Sequence, residues 1–273
     1  MMSAFNRLFA ELFKKKSRKI HLLIILQLVS AIALTVFMLV IDSGWFYATD
    51  PSKFGDDWLT LTLCFFTISF LFLPIYLIIS CSETERLNRS QTWRLAPVSD
   101  ISFYLDNTLS SFVSYIYLGI LQLIGTGIFF LATLLFNPEF LAAFKKLIPE
   151  IQNNAYQFVP SIYRFLCILA MIILLGLLVY LVTNFLNFVS QAVLDFLPGI
   201  SSKFSINLIR LILIVALIWA LAKAWNLISP LTFMNNVGLD EFLGILLLFI
   251  IDIVFLMVNT FIFSKFFEAK QNK

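Results

Sequence analysis

Charge is scarce in this chain. Asp, Glu, Lys and Arg make up only 13% of its 273 residues, whereas 60% are hydrophobic. Soluble domains run near about a quarter charged and about half apolar, so this composition excludes a water-soluble globular domain and leaves an integral membrane protein. A single histidine, His21, stands at the start of the first apolar run, which removes most metal and histidine-base enzymology. The cysteines Cys64, Cys81 and Cys167 are dispersed and odd in number, giving neither a disulfide framework nor a metal pattern. GxxxxGK[ST], HExxH and GxSxG are all missing, and no apolar segment holds a cluster of carboxylates for acid–base work. An enzyme reading is left without parts, and no cofactor is expected in this chain. The net charge of +3 is too modest to suggest a nucleic-acid partner. A cleavable signal is not expected either, because the first apolar run is about twice the length of a signal core.

What is present is helix-forming and apolar. Residues 1–19 form an amphipathic opening: Phe5, Leu8, Phe9, Leu12 and Phe13 fall on one helical face, and Arg7, Glu11 and the run Lys14 to Lys19 supply the rest. This is the pattern of an interfacial elbow helix lying along an anionic leaflet. A crossing needs about 20 apolar residues, and six segments qualify: 20–41, 59–80, 108–136, 162–185, 206–223 and 242–263. The expected fold is therefore all-α. It is a single transmembrane domain over 20–264 with six transmembrane helices, a polar loop at 82–107 and a tail at 265–273.

Orientation follows from the basic residues. The N-terminus carries six, the loop after the second crossing three (Arg86, Arg89, Arg94), the loop after the fourth Lys203, and the tail Lys265, Lys270 and Lys273. The opposite connectors hold only Lys53, Lys145 and Lys146. The positive-inside rule then places both termini in the cytoplasm. The outer connectors are short. Residues 42–58 are acidic and aromatic, 137–161 contain Pro138, Pro149 and Pro160 around a short amphipathic piece at 140–148, and 225–241 suggest a short helix or re-entrant piece in the outer leaflet.

A few polar residues sit inside the apolar segments. Asp252, at mid-span, costs at least about 2.5 kcal/mol to insert, so it should face protein or water. It is either a cavity-lining or coupling residue or an acid bonded to a neighbouring helix. Asn259 and Arg210 lie near the same end of adjacent spans and could pair, although Arg210 could equally snorkel. Down the third span, Ser111, Ser114, Tyr115, Gln122, Gly125 and Thr126 recur at spacings of three and four. That stripe reads as close helix packing or as a polar translocation wall. Asn184 and Asn187 read in the same two ways.

The loop Ser82–Asn107 is longer than a turn requires. Glu83 to Leu95 are good helix formers with Pro97 beyond to stop them. Trp93, Leu95 and Val98 stand beside Arg86, Arg89 and Arg94, the composition of a binding hot spot. A docked soluble partner and an idle interfacial helix are the two readings.

Across Glu83–Phe112 the sequence ETERLNRSQTWRLAPVSDISFYLDNTLSSF resembles the type-2 permease subunits of ATP-binding-cassette (ABC) transporters, of the kind found in lactobacilli and related Firmicutes. The resemblance is carried by an N-x-S-x-x-W-R-L-x-P-[VI]-S run followed by F-Y-L-x-N-x-L-S-S. It implies a bacterial cell-membrane exporter in which Glu83–Leu95 is a coupling helix seated on a separate ABC ATP-binding subunit. Glu83, Arg86, Arg89, Trp93, Arg94 and Leu95 would be the contacts. ATP and Mg would be bound by that partner, and a second permease copy or a paralogous permease would complete the unit. From the residues themselves the alternative is a substrate-capturing subunit or ion-coupled secondary carrier using Asp252.

Overall fold

The computed structural model describes residues 4–42, 54–88, 90, 98–153, 155–196, 211, 212, 215 and 239–266. Among these residues there are helices and no strands. In chain order they are α1 (Ala4–Asp42), α2 (Phe54–Asn88), α3 (Asp100–Phe136), α4 (Pro138–Asn153), α5 (Ala155–Phe196) and α6 (Leu239–Phe266). Five of them, α1, α2, α3, α5 and α6, are long and apolar enough to cross a membrane. The protein is a polytopic, membrane-embedded helical protein. The expected fifth crossing, 206–223, lies outside the described residues apart from Leu211, Ile212 and Val215, which are helical.

The helices overrun the apolar segments that define them. α1 has 39 residues, roughly 58 Å at 1.5 Å per residue, about twice the hydrocarbon thickness. The opening expected as a separate elbow at 1–19 is continuous with the first crossing. The reason is local: no glycine or proline occurs between Ala4 and Asp42, so nothing interrupts the i to i−4 ladder. One buried stripe also runs the length of the helix through Leu8, Leu12, Lys16, Ile20, Leu23, Gln27, Ala31 and Thr35. Over the crossing itself the opposite face (Leu22, Ile25, Val29, Ile32, Val36) is exposed and apolar. Over the crossing, Gln27 and Thr35 are on the buried side and the exposed side is apolar, an arrangement that suits lipid.

α3 likewise starts before its apolar run. Ser99 caps it, accepting a bond from the Ser102 backbone N–H at 3.2 Å. Its far end is closed by Asn137, whose own N–H bonds Thr133 O at 2.9 Å. The Asn137 side chain accepts from the Phe140 N–H at 2.8 Å and so caps α4. Pro138 takes the first position of α4, where its missing N–H costs nothing. α4 includes the expected short amphipathic piece and extends it to Asn153.

By internal packing the chain forms two compact units. Unit 1 comprises Met1–Leu12, Ser80–Phe112 and Pro160–Lys273; unit 2 comprises Phe13–Ile79 and Val113–Val159. In unit 1 an apolar core gathers Leu8, Leu12, Leu87, Phe103, Tyr104, Phe188 and Phe263. In unit 2 the interior is polar and aromatic. Phe65 of α2 meets Phe129 of α3 edge-on at 5.1 Å, and Gly125 allows the helices to approach, since a Cβ there would stand 2.8 Å from the Phe65 ring. α4 rests on α3 through Phe140 and Phe144, 5.8 and 6.0 Å from Phe130.

Candidate functional site

The loop Ser82–Asn107 is mostly helix. Residues 82–88 complete α2 and 100–107 open α3. Of the expected loop helix Glu83–Leu95, the described residues are Glu83–Asn88, which are the last stretch of α2 rather than a separate element, and Ser90, which is not helical and whose N–H donates to Leu87 O at 3.0 Å. Arg89, Trp93, Arg94 and Leu95 lie outside the described residues. Arg86 is exposed at the end of α2, whereas Glu83 is buried.

Where α2 and α3 meet in unit 1, side chains bolt them together. Asn107 Nδ2 donates to Thr84 O at 3.1 Å and to Asn88 Oδ1 at 2.8 Å. One turn on, the Thr84 and Ser111 hydroxyls bond each other at 2.8 Å, and Ser111 also reaches Asn107 O at 2.9 Å. All four side chains are buried. In an apolar surrounding such bonds are worth about 0.6 kcal/mol on average and up to about 1.7 kcal/mol each. Together they hold the two helix ends as one piece on either side of the 89–99 connection. Asn88, Asn107 and Ser111 all belong to the loop motif, so the residues that carry the resemblance also make this brace.

The polar residues singled out within the spans fall into both units. Gln122, in unit 2, donates to Gln27 Oε1 at 3.0 Å and to Ser69 O at 3.3 Å. Gln27 in turn donates to Ser69 Oγ at 2.7 Å, and Ser69 Oγ donates to Phe65 O at 2.8 Å. This is a closed relay tying α1, α2 and α3. Gly125 stands against Phe65, and Thr126 returns its hydroxyl to Gln122 O within α3. Ser114 is buried and its hydroxyl has no partner.

Asn259, in unit 1, donates to Leu181 O at 2.7 Å, which joins α6 to α5. Arg210, its suggested partner, lies outside the described residues. Asp252 is 2% exposed and neither of its carboxylate oxygens is bonded. Asp106 is in the same position at 0% exposure. The sequence reads it as one of the acids of the polar loop, because it lies before the apolar stretch, although the recurrence of Asp106, Asn107, Ser110 and Ser111 at helical spacing is a usable signal for helix. Among the described residues no three metal-ligating side chains assemble.

No protein-family model, curated protein or solved structure matches this chain. Function therefore rests on the sequence and on the geometry above.

Proposed function

We propose that this chain is the membrane-spanning permease subunit of an ATP-driven ABC transporter, an exporter, coupled to a separate ATP-binding subunit through residues 83–97. The chain has no phosphate loop, so energy must come from a partner, and the charge asymmetry puts the 89–99 connection on the cytoplasmic side. The observation that supports the reading best is the brace at Thr84, Asn88, Asn107 and Ser111. A partner that pushes on the connection moves α2 and α3 together, because their ends cannot slip past each other. Displacement of the loop becomes rigid-body movement of two crossings, which is how a packed bundle switches between two arrangements of similar energy.

The chain isolated from its native membrane should bring down an ATPase, and Trp93→Ala with Arg94→Ala should release it while the chain still folds. Recovery of the chain alone, with transport intact, sinks the reading.

Asp252 supports a second reading, an ion-coupled carrier. A buried carboxyl with no bonded oxygen can take up and give up a proton without breaking a structural contact. In that case Asp252→Asn abolishes transport and changes at Trp93 and Arg94 do little.

A further inference from the structure

α4 has an apolar stripe that runs past the surface it rests on. Phe140, Phe144, Leu147, Ile148 and Ile151 fall at i, i+4, i+7, i+8 and i+11, one face of the helix. Within unit 2 the first two pack on Phe130 of α3. The other three carry the stripe onward and stay open: Leu147, Ile148 and Ile151 are 47%, 43% and 41% exposed. Lys145 and Lys146, both exposed, stand outside that stripe.

Two aromatic contacts fix the depth at which α4 lies. Trp58, near the start of α2, stacks at 5.3 Å on Phe136, the last residue of α3. A tryptophan at the ends of two apolar helices marks the boundary between head groups and acyl chains. Phe130 is six residues before Phe136, about 9 Å inward along α3. α4 touches that ring with both Phe140 and Phe144, so it folds back beside the last turns of α3 and does not run out into water. It cannot cross the membrane either. Its 16 residues span roughly 24 Å, short of the hydrocarbon layer of about 30 Å, and they include Glu139, Lys145 and Lys146. A helix with these properties lies in the plane of the boundary, its apolar side sunk about 5–10 Å among the chains.

We propose that α4 is a helix bedded in the membrane surface, with phospholipid acyl chains over Leu147, Ile148 and Ile151 and with Lys145 and Lys146 reaching the lipid phosphates. Lipid is the occupant because the open stripe continues the exposed apolar side of α3 at Leu131 and Leu135, which belongs to a crossing. The lysine stems lie along the boundary while their ammonium groups stay in the wet layer. Glu139 and Glu150 offset the two lysines, so the attraction comes from the apolar stripe and zwitterionic phospholipid suffices. The inference is independent of any ATPase, and the chain alone tests it.

The test uses the full chain in phosphatidylcholine nanodiscs with a bimane label at one introduced cysteine. Ile148→Cys and Ile151→Cys put the label on the stripe, and Ala142→Cys puts it on the opposite, exposed side of the helix. The native cysteines Cys64, Cys81 and Cys167 are buried and stay unlabelled. Emission from the stripe should be quenched at least about threefold more by a phosphatidylcholine carrying a nitroxide near its head group than by aqueous iodide. At Ala142→Cys the order should reverse. Moving the nitroxide to the chain end should weaken its effect on the stripe, because α4 lies near the surface of the leaflet. Should Ile148→Cys fail to fold, Ile151→Cys supplies the same measurement. Iodide quenching the stripe as strongly as it quenches Ala142→Cys means that the stripe faces water, and overturns the proposal. Protection of the stripe from both quenchers means that protein, such as a second copy of the chain, covers it, and overturns it equally. Stronger quenching from the chain end than from the head-group end removes α4 from the surface and does the same.

Discussion

Replacing Gln122 by leucine should unlock α1, α2 and α3 of unit 2 in a way that a second substitution partly repairs. The Gln122 amide makes two interhelical bonds, to Gln27 Oε1 and to Ser69 O. At about 0.6 kcal/mol each, their direct loss is on the order of 1.2 kcal/mol. The larger effect is on the residue left behind. Gln27 Oε1 stays buried with no donor, which costs roughly a further 1–3 kcal/mol. Gln122→Leu should therefore destabilise by about 2–4 kcal/mol in reversible SDS unfolding of the purified chain. Gln27→Leu should cost a similar amount. The double variant leaves no amide in the interior, and Ser69 keeps its bond to Phe65 O. Its loss should fall short of the sum by at least about 1 kcal/mol. If the two substitutions instead add to within about 0.5 kcal/mol, the relay does not act as a unit and the reasoning fails.

Gly125→Leu should lower the melting temperature sharply, because its side chain meets the Phe65 ring, itself held by Phe129. Adding Phe65→Ala should recover part of the loss, and no recovery would mean that close approach at Gly125 is not the cause. Asn107→Leu removes two bonds from the α2–α3 brace. Amide hydrogen exchange at residues 84–88 should speed up at a cost of about 1–2 kcal/mol, while exchange in α6 stays unchanged. Asp252→Asn should leave stability unchanged or raise it, since neither carboxylate oxygen is bonded and an uncharged amide is easier to hold in hydrocarbon. A fall of several degrees would show that the acid has a partner.

Helix content and the positions of five crossings could be read from apolar runs alone, because lipid demands about 20 such residues whatever else the sequence does. Helix ends could not. The polar run Lys14–Lys19 suggested a break between elbow and crossing, yet the buried positions continue at helical spacing from Leu8 to Thr35 and α1 passes straight through. Asp100, Asp106 and Asn107 looked like loop because hydropathy scores them so. They are helix because Ser99 caps the turn and neighbouring polar groups receive Asn107. Gln122 stood out by its type, but its partner Gln27 lies 95 residues away, and only the register of three helices brings them together. The same holds for Asn259, which the sequence sets beside Arg210: its bond to Leu181 O depends on the register of α5 and α6.

The corner at Asn137 has an experimental consequence. That one residue closes α3 with its N–H, starts α4 with its carbonyl and caps Phe140 with its side chain. A reporter inserted there to map topology would break every one of those connections and swing α4 off Phe130. Such fusions should misreport by collapsing expression rather than by revealing a side of the membrane. Epitopes are better carried away from this corner.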